Sequence, residues 1–426
     1  MNYQKRRSFL KRSLLGGLAL GALFSGKGWG NNPSPMPNVG ASAKDWKALR
    51  ALFPLSHDRT YLNIASLGPS PQKVIDHMFE TIQSQEEVCR TRRYLANRAH
   101  AKLEALLQAP KDSIAIMRNA TEGANIVARS IPLQAGDEVI ITDQEHIGGA
   151  APWITLQQQI GIKLTVVPLD LSGHENFHRL RAAITDKTKV MVFSHVTCTT
   201  GMLLPVAQLT SLCREQGIYS CVDGAQAVGM LPVSINQLRP DFYFASGHKW
   251  LFGPKGTGIL YMNPEIMEAL QPSYTGAYTD AVFDLAELEQ SYRMVAIREE
   301  YGTRSMGLVA GLEAAVDFIT ELGIDRIEAR GRALQAYVRA ALQEIDEVEF
   351  LSPEDSQWSS AILTFRVRGV DFLTLQKHLD SKQALALRAI YEAKLNALRI
   401  SCGVINDEQE LDRLVACIQR YLAESH

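Results

Sequence analysis

Lys249 stands in SGHKWLFGPKGTG, residues 246–258, between His248 and the apolar run Trp250, Leu251, Phe252. A lysine walled in by such neighbours is rare unless it is paired or chemically used, because burial strips water from its ammonium. One use is condensation with a carbonyl compound: burial favours the uncharged amine, which is the nucleophile that forms the imine with loss of water. Asp223 lies 26 residues upstream, just after the apolar run YSCV. A carboxylate there is costly without a cation; it either caps a helix or holds a positive partner. Further upstream, RNATEGAN (118–125) puts Ala120 and Thr121 at the start of a helical pattern. The Thr121 hydroxyl suits a helix cap, and the same helix start suits a bound phosphate. DQEHIGG adds His146, and TCTTG adds Thr197 and Cys198.

Seven short apolar runs read as the strands that position these groups: 113–117, 137–142, 163–169, 189–196, 219–224, 241–246 and 256–262. Helical patterns such as ATEGANIVARSI and VAQLTSLCREQG separate most of them. This alternation predicts an α/β fold with a mainly parallel seven-stranded sheet covered on both faces. Functional residues in such sheets gather at the carboxyl ends of strands. Thr121, His146, Cys198, Asp223 and the run Ser246 to Lys249 all follow strands. Beyond about residue 310 the pattern changes to amphipathic helices, the strands SSAILTFRVRG and LNALRISCGV, and a closing helix. A smaller α+β C-terminal domain is expected there.

An amine for an aldehyde, a carboxylate for a protonated ring nitrogen and a helix start for a phosphate together suit pyridoxal phosphate. A flat side chain to stack on the ring would complete the set. A phosphate-binding P-loop fails on spacing. Gly247 to Gly253 is one residue too long, and Pro254 separates Gly253 from Lys255. KGTGILY is too short for a dinucleotide fingerprint.

The chain resembles the class V aminotransferase-like enzymes of the fold type I pyridoxal phosphate superfamily. TYLNIASLGPSP, RNATEGANIVAR, EHIGGAAPW, SHVTCTTGMLLPV, VDGAQAVG, SGHKWLFGPKGTG, EYGTRS and LRISCGVINDEQELD follow the family order, from about Tyr61 to the C-terminus. The resemblance implies that Lys249 is the Schiff-base lysine. Asp223 pairs with the pyridine nitrogen, Gln226 contacts the ring hydroxyl and His146 stacks on the ring. Ala120, Thr121, Ser246 and His248 surround the phosphate. It further implies a homodimer with shared sites, in which Thr303 reaches the phosphate of the neighbouring subunit. Arg399, expected at a strand edge, would clamp the α-carboxylate of an amino-acid substrate, since its fork matches a carboxylate bidentately.

The net charge of −2, from 44 basic and 46 acidic residues, gives no electrostatic case for nucleic acid. Six cysteines at 89, 198, 213, 221, 402 and 417 include no C-x-x-C pair, which argues against a zinc or redox site. The N-terminus resembles a twin-arginine signal. Arg6 and Arg7 precede an apolar run of 11 residues from Leu14 to Phe24, too short to span a bilayer. This predicts a partnership with the twin-arginine export machinery and a periplasmic location. The expected organisation is signal and linker over 1–43, a large cofactor-binding domain over 44–310 and a small domain over 311–426.

The core residues alone do not select the reaction, because loss of the α-proton can lead to transamination, racemisation or elimination. SHVTCTTGMLLPV with HKWL most resembles the isopenicillin-N-epimerase-like branch, so an aminotransferase or epimerase is the first expectation. The alternatives are a C–S lyase or desulfurase-like enzyme, and a cofactor-binding protein without turnover. Desulfurases attack the substrate sulfur with a mobile cysteine upstream of the carboxylate arginine. No cysteine lies between Cys221 and Cys402, so rapid desulfuration through a persulfide is not expected. Gln383, Ala384 and Leu385 occupy the region where that thiol would stand. Cys198 is expected to pack as a small buried thiol near the cofactor.

Overall fold

A computed structural model describes residues 43–91 and 94–425. The twin-arginine segment and most of the 1–43 linker lie outside the described residues. Among those described, no helix is long and apolar enough to cross a membrane. The chain enters through α1 (Ala43–Arg50), β1 (Thr60–Tyr61), α2 (Gln72–Val88) and α3 (Tyr94–Leu107). The seven apolar runs then become β2 (Ile114–Met117), β3 (Glu138–Thr142), β4 (Lys163–Val167), β5 (Thr188–Ser194), β6 (Tyr219–Asp223), β7 (Phe242–Ser246) and β8 (Gly258–Met262). Helices α4 (Ala120–Ser130), α5 (Ile147–Ile160), α6 (Asn176–Ala182), α7 (Val206–Glu215) and α8 (Ile235–Leu238) lie between them.

The seven strands form one sheet in the order β2-β8-β7-β6-β5-β3-β4. Pairing is parallel from β7 to β4, and antiparallel where β8 lies between β2 and β7. Alternate side chains feed two apolar layers, as the two-residue period of a strand requires. Ile116, Ile140, Phe193, Val222, Tyr243 and Ile259 face one core. Met117, Val139, Val192, Cys221, Phe244 and Leu260 face the other. Burial on both faces is why the strands other than the edge strand β4 read as continuous apolar runs.

After the hairpin β9 (Asp280–Asp284) and β10 (Glu289–Tyr292) come α9 (Met306–Leu322) and α10 (Ile324–Gln343). The rest is β11 (Val348–Phe350), β12 (Ile362–Val367), α11 (Phe372–Gln383), β13 (Leu385–Ala386), β14 (Arg388–Ile390), β15 (Ala397–Ser401) and α12 (Glu408–Ser425). An antiparallel sheet ordered β11-β12-β15-β14 carries its own core, with Leu334, Leu363, Leu398, Leu411 and Ile418. Arg399 therefore lies on an interior strand, not at the expected edge, because β14 pairs with β15 on the open side. The entering segment is stitched to this region. β1 pairs with β13 in parallel, and Ser401 N donates to Leu62 O at 2.9 Å. Leu385 and Ala386 are consequently buried strand residues, which rules out a mobile loop at that point.

Candidate active site

The groups expected to do chemistry converge at the carboxyl ends of the large sheet. A cavity of about 320 Å³ is bordered by Thr121, His146, Asp223, Gln226, Ser246, His248 and Lys249, together with Ala120, Cys198 and Arg388. Register explains part of this. Ser194 at the end of β5 is directly opposite Asp223 at the end of β6, so parallel pairing brings both to one rim.

Lys249 is fixed by its backbone neighbours. Gly68 N donates to His248 O at 2.8 Å, and a Cβ on Gly68 would lie 1.9 Å from Lys249 O. Only glycine fits there. Trp250 Nε1 donates to Gln226 Oε1 at 2.8 Å, anchoring the residue after the lysine. The chain then turns at Phe252, whose φ of 58° is the left-handed region unfavourable for a bulky residue. The Phe252 ring is buried edge-on against Phe53 and Phe318, and that packing holds the strained backbone.

Burial lowers the Lys249 amine below the usual lysine range, and Asp223 opposes that shift. Burial raises the Asp223 carboxyl, with Lys249 and the Ala225 N–H pulling it back. Asp223 Oδ1 accepts from Ala225 N at 2.8 Å, which leaves Oδ2 beside Gly149. His146 caps α5, its Nδ1 accepting from Gly148 N at 3.0 Å. Burial, then the charges of Lys249 and Arg388, depress this histidine to about 4. Its ring is neutral at pH 7 and free of a charge that would resist stacking.

Thr121 is not the helix cap. Asn119 caps α4, its side chain accepting from Glu122 N at 2.9 Å, so the Thr121 hydroxyl is free of that duty. A Cβ on Gly148 would crowd this rim, 2.3 Å from Thr121 Oγ1, whereas one on Gly149 would sit at ordinary contact distance, 3.4 Å from Asp223 Oδ2. The buried Nδ1 of His248 has no hydrogen-bond partner among the described residues. A glycine-lined space, an unpartnered ring nitrogen, the N-terminus of α4 and two hydroxyls, Thr121 and Ser246, fit a phosphate. A buried carboxylate beside a lysine fits the ring and aldehyde of pyridoxal phosphate. Gln226 is half committed: Nε2 donates to Ala65 O at 3.0 Å, leaving one amide hydrogen for a ring hydroxyl.

Two expected residues do not border this cavity. Thr303 lies with Ile116, Arg118, Tyr301 and Arg304 around a separate hollow. Arg399 is fully buried behind the rim. Nη1 donates to Cys198 O at 2.5 Å, and Nη2 donates to Ser66 Oγ at 2.8 Å and Asn63 Oδ1 at 3.1 Å. Burial, followed by Arg388, lowers Arg399 to about 10, so it remains a cation at pH 7. Among the described residues its hydrogen-bond partners are all neutral, and a buried cation so placed suits an anionic ligand.

Several rim residues were not picked out from the sequence. Ser66 and Ser194 sit in quoted motifs without a role, and Arg388 gives no local signal, because only the β14–β15 pairing brings it opposite Arg399. Glu145 is buried beneath the rim, hydrogen-bonded by Thr142 Oγ1 at 2.6 Å and Ser194 Oγ at 2.7 Å. Burial, then Asp223, pushes it up to about 7. Cys198 borders the cavity, and burial raises its thiol to about 11.

The fold and this site define a fold type I, pyridoxal-phosphate-dependent enzyme. The chain belongs to the aminotransferase class V family, whose profile matches residues 60–414. A cysteine desulfurase of Yersinia pestis bv. Antiqua (strain Angola) is 30% identical over 411 residues, spanning 87% of this chain and 97% of that protein. The crystal structure of the cysteine desulfurase CsdA of Escherichia coli matches with a TM-score of 0.78 at 28% identity, over 89% of this chain and 98% of that one. C-DES, a cystine C–S lyase solved with its product cysteine persulfide, matches with a TM-score of 0.78 at 25% identity, over 84% and 97%. A mutant of C-DES carries glycine covalently linked to the pyridoxal phosphate cofactor.

Proposed function

We propose that this enzyme cleaves the Cβ–S bond of a sulfur-bearing amino acid by α,β-elimination, without relaying sulfur through a cysteine of its own. Relatives named for desulfuration and C–S cleavage favour this over the aminotransferase or epimerase first expected. The observation that carries it is the stretch Gln383 to Leu385, where the relaying thiol would stand: it holds no cysteine, and Leu385 is a buried residue of β13, not part of a mobile loop. Cys198 is the one thiol bordering the cavity among the described residues, and at about 11 it is protonated at neutral pH. Since the thiolate is the sulfur nucleophile, elimination with release of a thiol fits better than persulfide transfer.

Bound pyridoxal phosphate supplies an electron sink for the pair left at Cα. The residues here do the rest. Arg399 binds the α-carboxylate and orients the substrate; its buried charge is met by that anion. Lys249 Nζ, depressed by burial, takes the proton from Cα. Asp223 holds a proton on the ring nitrogen by charge. His146, neutral, stacks over the ring and keeps water off that face. Thr121, Ser246 and His248 hold the phosphate. The Cβ–S bond breaks with its electron pair going to sulfur, which leaves as a thiol after protonation. Water releases the remainder, so one substrate and one water give a thiol, pyruvate and ammonium.

The test incubates holoenzyme with L-cystine, L-cysteine, S-methyl-L-cysteine and L-alanine. Pyruvate formed one-to-one with thiol (cysteine persulfide in the case of cystine), with no persulfide formed on the enzyme from L-cysteine by mass spectrometry, is the expected result. A keto acid retaining its side chain, or a D-amino acid, would restore the transaminase or epimerase expectation. An enzyme-bound persulfide formed from L-cysteine, which unlike cystine releases no persulfide of its own, would make the protein a desulfurase.

A further inference from the structure

Arg388 on the cavity wall and Glu392, which pairs with it from behind, are charges that the elimination does not use. Arg388 borders the cavity and forms an ion pair with Glu392, four residues on. Neither is solvated as a surface pair would be: their side chains are 22% and 14% exposed. The turn that carries Glu392 is conformationally set. Ala393, Lys394 and Asn396 have φ of 48°, 57° and 47°, and Tyr391 N donates to Glu392 Oε2 at 3.2 Å. Both charges are felt at the site itself. Arg388 lowers and Glu392 raises the titration of His146, and both act on Cys198 and Arg399.

Charge accounting separates the two arginines. They are directly opposite on β14 and β15, where like charges repel. Among the described residues Arg399 has only neutral hydrogen-bond partners, so it takes one carboxylate. Arg388 already has one in Glu392. With the α-carboxylate on Arg399, the substrate's side chain meets a paired plus and minus. A distal carboxylate alone would have to displace Glu392. A distal ammonium alone would have to displace Arg388. A distal group bearing both exchanges one internal ion pair for two intermolecular ones and leaves no charge unmatched.

We infer that Arg388 and Glu392 form a side-chain subsite for a distal amino-acid zwitterion, so that the preferred substrate class is a disulfide or thioether joining two amino-acid ends. This rests on the proposed assignment of Arg399 to the α-carboxylate. Four sulfur-free ligands that cannot eliminate isolate the effect: L-norleucine, L-lysine, L-2-aminopimelate and LL-2,6-diaminopimelate. They carry at the far end no charge, an ammonium, a carboxylate, or both. Their dissociation constants are measured on the holoenzyme by calorimetry. Diaminopimelate should bind about tenfold or more tighter than any of the other three, the scale of one charged hydrogen bond. Glu392→Gln should invert the order, making aminopimelate tighter than diaminopimelate, and Arg388→Gln should favour lysine instead. The two opposite inversions keep the test informative if one variant folds poorly. Equal affinities for all four, with C–S cleavage intact, would overturn the subsite alone. Failure of every ligand to bind would overturn it together with the amino-acid assignment.

Discussion

Lys249 is a lysine whose neighbours keep its backbone still while burial lowers its amine below the usual lysine range. Gly68 packs on its carbonyl, Trp250 is tied to Gln226, and Phe252 holds a strained turn. Lys249→Ala should therefore abolish borohydride-stable attachment of the cofactor, measured as reduced peptide mass at residues 246–258, while the fold persists. Trapping at wild-type level would remove Lys249 from its role. Arg399 makes a separate demand. Replacing its fork by a single ammonium keeps the charge but loses bidentate geometry. Arg399→Lys should raise KM for an amino-acid substrate roughly tenfold to a hundredfold, equivalent to about 1.5–3 kcal/mol, with the cofactor's visible absorbance unchanged. An unaltered KM would leave Arg399 as a scaffold for Cys198 and Ser66 only.

At the scale of elements, the sheet is pinned at its amino end by one carboxylate. Glu138, at the start of β3, accepts from Lys163 Nζ and Thr165 Oγ1 on β4, both at 2.7 Å. It also accepts from Thr185 Oγ1 at 2.5 Å and Thr188 Oγ1 at 3.2 Å, at the entry to β5. Burial alone would raise this carboxyl, but Lys163 and the threonines outweigh it and hold it down to about 2. The folded value lies below the ordinary 4.5. Its stabilisation is therefore complete above that ordinary value and is lost as pH falls through about 2. Glu138→Ala should cost about 2 kcal/mol at pH 7 in a denaturant titration, and the gap from wild type should close toward pH 2. A pH-independent difference would refute the charge-based account. Glu138 was legible only as the start of an apolar run, and the strands themselves were legible for the same reason. Runs such as VIIT and FYFAS are buried on both faces and carry no competing period. The short strands β1, β13 and β14 were not legible. Two or three residues make no periodic signal; β1 and β13 exist only because each meets the other from a distant part of the chain, and β14 only because β15 folds back on it. The same limit hid Arg388, while Lys249, Asp223 and His146 announced themselves by standing at the ends of readable strands.

At the scale of the whole molecule, Thr303 poses the remaining question. It lies with Tyr301 and Arg304 beside β2 and Gly256, away from the cavity that Lys249 borders. The segment carrying it is firmly held. Glu300 Oε1 accepts from Ile116 N at 2.6 Å and lies 2.6 Å from His100 Nε2, and Arg304 donates to the carbonyl of Ile116. A segment fixed this way does not swing inward to its own Lys249. If Thr303 serves a phosphate, that phosphate belongs to a second copy of the chain, and the working enzyme is a dimer with two composite sites. Lys249→Ala and Thr303→Ala proteins should then each have low activity alone. Mixed under conditions of subunit exchange, half of the chains at statistical equilibrium form heterodimers. Each heterodimer holds one site with both residues intact and one with neither. Activity of the mixture should recover to about one quarter of wild type if Thr303 is as indispensable as Lys249. Exchange is monitored by mass-tagged chains in native mass spectrometry. Confirmed heterodimers whose activity stays at the average of the parents would show that each site is built from a single chain.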